Sequence, residues 1–437
     1  MSFVTDKQTL DDLNITGKFK PQSIFNLFNH TQTVGGEKLL EKMFNQPLSD
    51  PAAINCRSEV FKFFHERKLQ FPFDQNTFQE AEAWLGAGTG STFLGAAGSL
   101  LQKKLLHMAV KDEQYEHLQR GLLAAVEVFS VLRNFLQKME KNFPDTVQFK
   151  TVKELFSSPK MKWLQEFQNT KPALLQFAKY DHLIRHALRD DVEQILDLIY
   201  HLDVYIAVSD TARAKNLHYA KALPKEDYVF RTTALSHPAL EKAVANPLSL
   251  HEDLNVLFLT GANMAGKSTF MKSLGIAVYL AHMGFPVAAR EMEFSVRDGL
   301  YTSINVPDNL NLGYSHFYAE VLRVRKVAEE VAKGNDLVII FDELFKGTNV
   351  KDAYDATLAV TKEFATWHNS FFVISTHIIE VGDVLQHDCD NLQFSYLPTI
   401  MEGSVPRYTY TLTTGITNDR HGMLIIENER ILEMIED

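Results

Sequence analysis

The chain has 437 residues, of which 45% are apolar and 23% are charged. This composition excludes an intrinsically disordered protein, and the length allows two or three domains that each bury a core. The formal net charge of −11 excludes a strongly basic protein of the kind that binds nucleic acid through charge alone.

The amino-terminal stretch, MSFVTDKQTLDDL, contains acidic residues and no apolar run, so we expect no signal peptide. Cys56 and Cys389 are far apart and lack metal-ligand spacing, which favours a reducing compartment without disulfides. The longest apolar run, which follows Ser273, is interrupted by His282 and Pro286 and is too short to span a membrane. We therefore expect a cytoplasmic protein that makes no membrane contact.

The first half of the chain has helical periodicity, from about Pro21 to Lys242. Apolar residues recur at steps of three and four residues within DEQYEHLQRGLLAAVEVFSVLRNFLQKMEKNF and within DVEQILDLIYHLDVYIAVSDTARAKN. The glycine-containing stretch LGAGTGSTFLGAAGS, residues 85–99, follows no strand pattern. We interpret it as a loop or a tight helix contact and not as a nucleotide site.

After Leu250 the pattern changes to short apolar runs that alternate with helical segments. The runs LNVLFLT, DLVIIFD and SFFVIST predict buried strands of a largely parallel sheet with crossover helices. LQFSYL and PRYTYTLT predict further strands, and the last residues predict a short helix. We therefore predict a helical domain over residues 1–245 and an α/β domain over residues 246–437.

A phosphate-binding motif lies between a predicted strand and a predicted helix. Residues 261–268, GANMAGKS, satisfy the Walker A pattern G-x-x-x-x-G-K-[ST]. In such a P-loop, backbone N–H groups and the helix N-terminus face the phosphates, the lysine reaches the β- and γ-phosphates, and the hydroxyl binds Mg²⁺. We predict that ATP is bound by Gly261, Asn263, Met264, Ala265, Gly266, Lys267, Ser268 and Thr269, with Lys267 also catalytic and Ser268 a metal ligand.

A second element supports this prediction. Asp342 and Glu343 directly follow the buried run VIIF, a position typical of a carboxylate that holds Mg²⁺ and of a glutamate that polarises the attacking water. His377 follows the next predicted strand, where we predict a sensor of the γ-phosphate. The α/β domain is therefore predicted to hydrolyse ATP with Mg²⁺, using Glu343, His377 and Lys267 as catalytic residues.

These motifs resemble those of the MutS family of DNA mismatch-repair ATPases. TGANMAGKSTFMKS is similar to the family's TGPNMGGKST loop, NLNLGYSHFYAEV to its signature segment, FDELFKGTNVKDA to DEIGRGTSTxDG, and STH to ATH. Upstream, LSHPALEKAVANPLSL is similar to the segment before the nucleotide loop. SIFNLFNHTQTVGGEKLLEKMFNQPLSDPAAINCRSEVFKFF resembles the start of the core/lever domain.

The resemblance implies an all-α core/lever domain followed by a P-loop ATPase domain of the ABC type, which is an α + α/β fold. It also implies a homodimer in which Ser315 contacts the γ-phosphate bound to the partner and Asp352 lies on the loop that crosses the interface. The chain departs from the family pattern at His316, Phe345 and Lys346.

The core-like pattern begins already at Ser23, so the family's N-terminal mismatch-binding domain is expected to be missing. The string FHE, residues 64–66, matches that domain's Phe-x-Glu wedge, but it lies in a predicted helix. Basic groupings such as Lys160 and Lys162 are interpreted as solvated helix faces. If nucleic acid is bound, residues 1–250 are the better host, because they hold 30 Lys and Arg against 29 Asp and Glu, compared with 14 against 26 in residues 251–437.

The leading hypothesis is a dimeric DNA-binding ATPase in mismatch repair or DNA-structure surveillance. Its ligand would be distorted or branched double-stranded DNA, bound without sequence preference, and a repair protein could be a further partner. The alternative is an ATP-gated dimerising switch that binds a protein and no DNA, which the acidic ATPase half favours. Mismatch recognition with a wedge from another subunit and a transporter-type ABC subunit are the remaining alternatives.

Overall fold

A computed structural model describes residues 3–87, 98, 102–103, 114–139, 143, 146–168, 173–304, 316–402, 405–417 and 434–435. The chain forms two compact units, each assembled from separate stretches of sequence. The sheet unit comprises Met1–Phe28, Met43–Lys62 and Thr211–Asp437, and the helical unit comprises Asn29–Lys42 and Phe63–Asp210. The predicted division at residues 245 and 246 follows the chain and stays a prediction.

The first half of the chain is helical, as its periodicity predicts. Its helices are α1 (Lys7–Asp12), α2 (Ile24–Phe28), α3 (Val34–Asn45), α4 (Pro51–Arg67), α5 (Gln75–Gly86), α6 (Gln114–Met139), α7 (Val147–Ser157), α8 (Lys162–Gln168), α9 (Leu174–His182) and α10 (Arg189–Ala214). In α6, Leu122, Phe129 and Leu136 are spaced at seven residues and are all buried. Most of residues 85–99, the glycine-containing stretch, lies outside the described residues.

Capping by a buried carboxylate fixes one helix start in the helical unit. Asp203, on α10, accepts hydrogen bonds from the backbone N–H groups of Gln32 and Thr33, both at 2.9 Å or less, and from the Thr33 hydroxyl at 2.7 Å. Burial raises the pKa of Asp203, while these donors favour its charged form. The contacts satisfy amide groups at the start of α3 that have no partner within the helix.

The second half alternates strands and helices. The strands are β1 (His218–Tyr219), β2 (Lys221–Leu223), β3 (Phe230–Leu235), β4 (Asn246–Leu250), β5 (Val256–Gly261), β6 (Pro286–Val287), β7 (Glu291–Ser295), β8 (Gly299–Ser303), β9 (Leu337–Phe341), β10 (Phe371–Ser375), β11 (Leu392–Leu397), β12 (Thr399–Glu402), β13 (Val405–Tyr408) and β14 (Thr413–Thr414). The helices are α11 (Lys267–His282), α12 (His316–Val331), α13 (Val350–Ala365) and α14 (Ile379–Asp388).

The main sheet has the strand order β14-β11-β5-β10-β9-β8. All its strands are parallel to their neighbours except β14, which is antiparallel to β11. Every residue of β5, β9 and β10 is buried, which explains why these strands read as continuous apolar runs. The mixed fold of helices and a largely parallel sheet is therefore confirmed.

A second sheet corrects the predicted extent of the helical region. Its order is β2-β7-β3-β4, so residues 221–250 contribute three strands where helical periodicity was predicted as far as Lys242. In β3, Phe230 and Thr232 are buried while Arg231 between them is exposed. This alternation, with β-branched threonines, favours a strand that pairs with β4 and β7.

The amino-terminal stretch lies along the edge strand of the main sheet. The Val4 N–H donates to the Asp298 carbonyl at 2.7 Å, and the Leu300 N–H donates to the Val4 carbonyl at 3.0 Å. Asp6 forms ion pairs with Arg323 and Lys326 on α12. These charges and bonds hold the pKa of Asp6 well below its usual range in spite of burial, so the carboxylate stays ionised.

No helix among the described residues is long and apolar enough to cross a bilayer.

Candidate functional site

The candidate site is built on the loop between β5 and α11, at the carboxyl ends of the parallel strands. Gly266 ends this loop with a φ of 102°, a conformation that L side chains rarely adopt. A Cβ at this position would lie 2.9 Å from the Tyr410 ring. The second glycine of the motif is therefore required both by its backbone conformation and by the close approach of Tyr410.

Lys267 is the first residue of α11 and is almost completely buried. Its Nζ donates to the Gly261 carbonyl at 2.8 Å and to the Ala262 carbonyl at 3.2 Å, so the side chain folds back over the loop. Burial lowers the pKa of Lys267, whereas the carboxylates of Glu343 and Asp342 act in the opposite direction. The ammonium group is thus placed at the centre of the loop, beside two acids.

Asp342 joins the loop to two neighbouring strands. It directly follows β9, and its Oδ2 accepts a hydrogen bond from the Ser268 hydroxyl at 2.5 Å. Its Oδ1 accepts a hydrogen bond from the hydroxyl of Ser375, the last residue of β10, at 2.6 Å. Sequence reasoning missed Ser375, although its place at the end of a predicted strand was an available signal.

Glu343 and His377 form the second pair in the site. His377 Nε2 lies 2.5 Å from Glu343 Oε1, and Lys346 Nζ lies 3.5 Å from Glu343 Oε2. The hydrogen bond from His377 is the main reason why the pKa of Glu343 falls to about 2. Glu343 is therefore ionised at neutral pH, and because a carboxylate only accepts, the Nε2 of His377 carries the proton.

The predicted loop residues differ in their exposure. Ala265 is buried, whereas Asn263, Met264, Ser268 and Thr269 are exposed. The structure thus brings together the residues predicted from the two motifs and from the strand-end histidine.

Of the two residues predicted to act across a dimer interface, Asp352 lies among the described residues and Ser315 does not. Asp352 is exposed in the first turn of α13, where its backbone N–H donates to the side chain of Asn349 at 2.9 Å. Ser315 lies outside the described residues, immediately before α12. Their predicted contacts with a partner subunit stay predictions.

A cavity of about 300 Å³ opens beside the loop. Its lining includes His237, Leu240, Phe270 and Tyr410 together with Gly266 and Thr269 of the loop region. Burial and the charge of Lys272 keep the pKa of His237 below its ordinary value, which favours a neutral ring. Tyr410 and His237 were not predicted as site residues, because nothing in their local sequence places them next to residue 266.

Ser268 and Asp342 fit a magnesium ion as a donor set. Mg²⁺ prefers oxygen ligands in octahedral geometry at about 2.1 Å, which separates neighbouring ligands by about 3 Å. The two side-chain oxygens are 2.5 Å apart and need only a small displacement to accept the ion between them. Within the described residues no cluster of three or more His, Cys, Asp or Glu side chains has metal-binding geometry, so the remaining ligands would be nucleotide and water.

The fold and the site together define a chain with a helical region and an α/β domain that carries a polar site at the carboxyl edge of its parallel sheet. The family model of MutS domain III matches residues 8–257 of the sequence, and the family model of MutS domain V matches residues 257–435. The chain belongs to the MutS family, which is related to mismatch repair. Domain V is the family's ATPase domain, so the second match identifies residues 257–435 as a domain of this type.

Proposed function

We propose that this chain is a Mg²⁺-dependent ATPase that works as a dimer on distorted or branched double-stranded DNA. The observation that carries the proposal is the contact between Ser268 and Asp342, which joins the glycine-containing loop to the end of β9. The match to MutS domain V supports the same conclusion independently. A cytoplasmic location and a repair-protein partner belong to the proposal as well.

In the proposed mechanism the triphosphate occupies the loop. Lys267 exchanges its bonds to the Gly261 and Ala262 carbonyls for the phosphate oxygens, which are stronger partners because they are charged. Ser268 and Asp342 would hold Mg²⁺, and Ser375 keeps the Asp342 carboxylate in place. Bound there, the ion would neutralise charge on the β- and γ-phosphates.

Glu343 is proposed to orient the attacking water. Its carboxylate is ionised and its orientation is set by His377 at 2.5 Å, so it accepts a hydrogen bond from water without first losing a proton. His377 is then placed to respond to the γ-phosphate, since a phosphate contact of its Nε2 would compete with Glu343. Glu343 has a positive φ of 55°, which is a strained backbone conformation for a residue other than glycine. Such strain supports a role in which the backbone directs this side chain towards the attacking water.

The cavity beside Gly266 is proposed to receive the adenine base. Its volume of about 300 Å³ and its mixture of aliphatic, aromatic and imidazole side chains suit a planar heterocycle. The ring of Tyr410 approaches the loop closely at Gly266, so base and triphosphate would be bound on adjoining surfaces. Nucleotide specificity would therefore depend on residues far from both motifs in the sequence.

The helical unit offers a surface for DNA phosphates. A cavity of about 400 Å³ is lined by Arg133, Lys153 and Lys162, and no Asp or Glu is among its described lining residues. The Arg133 Nε has no hydrogen-bond partner among the described atoms. Lys160, by contrast, is paired with Asp191 at 3.0 Å, so its charge is neutralised. Arginine and lysine side chains that line a cavity without acidic lining residues are suited to bind phosphate.

The decisive experiment is steady-state ATP turnover alone and with homoduplex, mismatched or four-way-branched DNA, at two salt concentrations. We expect branched or mismatched DNA to stimulate turnover, and the stimulation to fade at the higher salt concentration because phosphate contacts release counterions. Turnover that no DNA changes would overturn the DNA-binding part of the proposal. It would favour the alternative, an ATP-gated dimer with a protein partner, which the acidic balance of residues 251–437 supports.

A matched pair of variants tests the proposed DNA surface. Lys162→Gln removes a cation of the cavity, and Lys179→Gln removes an exposed cation of α9 outside it. The first should weaken DNA binding and reduce the salt slope of log K by about one, whereas the second should leave both unchanged. Equal effects of the two changes would remove the cavity from the proposed interface.

A further inference from the structure

Helix α12, which begins within the signature segment, packs against the loop that carries Glu343. At Gly347 a Cβ would lie 3.0 Å from the Phe317 backbone nitrogen and 3.2 Å from its Cα, so the first turn of α12 lies directly against this loop. The rings of Phe317 and Phe345 pack edge to face, with centroids 6.1 Å apart. This contact places the start of α12 next to the backbone that follows β9.

One turn further along α12, Glu320 is buried against the same loop. Its side chain is only 2% exposed, and the Phe345 backbone N–H donates a hydrogen bond to its carboxyl group. Its Oε2 has no hydrogen-bond partner among the described atoms. Burying a carboxyl group with an unpartnered oxygen lowers the stability of the fold. Packing alone therefore does not explain why Glu320 contacts the loop.

The loop itself is strained where Glu320 holds it. Glu343 has a φ of 55° and Phe345 a φ of 63°, both in the left-handed region that non-glycine residues rarely adopt. Such conformations persist only where the surroundings fix them. The hydrogen bond from Phe345 to Glu320 lies two residues beyond the glutamate proposed to orient the attacking water.

We propose that Glu320 is a positioning residue, which holds the Phe345 N–H and thereby fixes the strained backbone that aims Glu343 at the γ-phosphate. This inference rests on the proposed function, in which Glu343 acts in ATP hydrolysis. Since α12 begins immediately after Ser315, the same helix connects the segment proposed to face a partner subunit with the water-orienting residue of its own site.

The electrostatic surroundings of Glu320 agree with a role that depends on reach and not on charge. Burial, reinforced by the negative charge of Glu343, raises the pKa of Glu320 to about 7, against the opposing effects of the Phe345 N–H and Lys346. Ionisation is therefore not required for Glu320 to accept the Phe345 hydrogen bond. A neutral side chain of equal length should do the same.

Two substitutions separate reach from charge. Glu320→Gln keeps the length and an acceptor oxygen but removes the charge, whereas Glu320→Asp keeps the charge and is too short to reach the Phe345 N–H. We expect the Gln variant to retain kcat and the Asp variant to lose it by roughly 10-fold to 100-fold, since small displacements of catalytic groups are costly. Affinity for a fluorescent ATP analogue should change less than about twofold in both variants.

Glu329→Gln, on the exposed part of the same helix and paired with Arg325, serves as the control and should match the wild type. An Asp variant with wild-type kcat, or a Gln variant that loses as much kcat as the Asp variant, would overturn the proposed role. Parallel turnover by the wild type and by Glu343→Gln keeps the two proposals apart. Wild-type protein without ATP turnover, or a fully active Glu343→Gln, would instead refute the proposed function.

Discussion

Ser268 and Asp342 lie 74 residues apart in the chain and share a hydrogen bond of 2.5 Å. The first belongs to the opening turn of α11, and the second follows β9, with β10 lying between β5 and β9 in the sheet. Ser375, at the end of that intervening strand, completes the connection through the other oxygen of Asp342. Residues at the ends of three adjacent strands thus fix the orientation of the Asp342 carboxylate. This fixed orientation supports the proposed role of Asp342 in binding Mg²⁺.

Replacing Asp342 by Asn should lower kcat by at least about 100-fold, because an amide cannot neutralise the metal and presents only one acceptor oxygen. Ser375→Ala removes one hydrogen bond to the same carboxylate and should cost only about 10-fold. The measurement is turnover over a range of Mg²⁺ concentrations. If Asn at 342 left the Mg²⁺ dependence unchanged, Asp342 would have no role as a metal ligand.

Replacing Glu343 by Gln should lower ATP turnover by roughly 100-fold to 10,000-fold, while ATP still binds. The closed dimer should then accumulate, because the γ-phosphate is not removed. Turnover assays and size-exclusion chromatography with ATP measure the two effects. Lys346→Gln, which removes only the ion pair at 3.5 Å, is the control and should retain turnover.

Replacing Ser315 by Ala should impair hydrolysis without weakening nucleotide binding to the monomer. The reason is that Ser315 is predicted to contact the γ-phosphate bound to the other subunit. Fluorescence titration at low protein concentration measures monomer binding, and turnover at high concentration measures the dimer. Equal losses in both assays would argue against action across an interface.

His282 should make stability depend on pH. It is fully buried, its Nε2 accepts the Arg297 N–H at 3.0 Å, and its Nδ1 faces the Val278 carbonyl at 2.8 Å. Burial is the main reason why the pKa of His282 falls to about 4 from 6.5. Its contribution, about 3 kcal/mol, is therefore present above pH 6.5 and lost as pH falls through about 4.

The variant His282→Gln does not titrate and provides the comparison. Thermal unfolding at a series of pH values should show it less stable than the wild type near pH 7, with the difference narrowing towards pH 4. A constant difference across this range would mean that His282 does not titrate as its surroundings indicate.

The main sheet and the candidate site were largely readable from the sequence because their determinants are local. Runs such as LVIIF predict strands buried on both faces, and parallel strands bring the residues that follow them to one edge. This is why the sequence pattern alone groups Ser268, Asp342, Glu343 and His377 at one edge of the sheet. Their contacts at 2.5 Å agree with that grouping.

Other features depend on long-range packing and left no local pattern. Glu320 lies in the segment that resembles the family's signature, but only the fold shows that it is buried. Tyr410 reaches Gly266 across more than a hundred residues. The strands β2 and β3 are short and pair with β7, whose position the local sequence does not reveal, so helical periodicity was extended too far.

The backbone of Val4 pairs with the edge strand β8 and covers part of it. This contact affects how the protein should be truncated or tagged for expression. An uncovered edge strand presents free N–H and C=O groups that can pair with another chain and start aggregation. Shortening the amino terminus past Val4, or fusing a bulky tag directly before it, would expose this edge. Loss of activity in such a preparation should therefore be compared with light scattering before it is attributed to the nucleotide site.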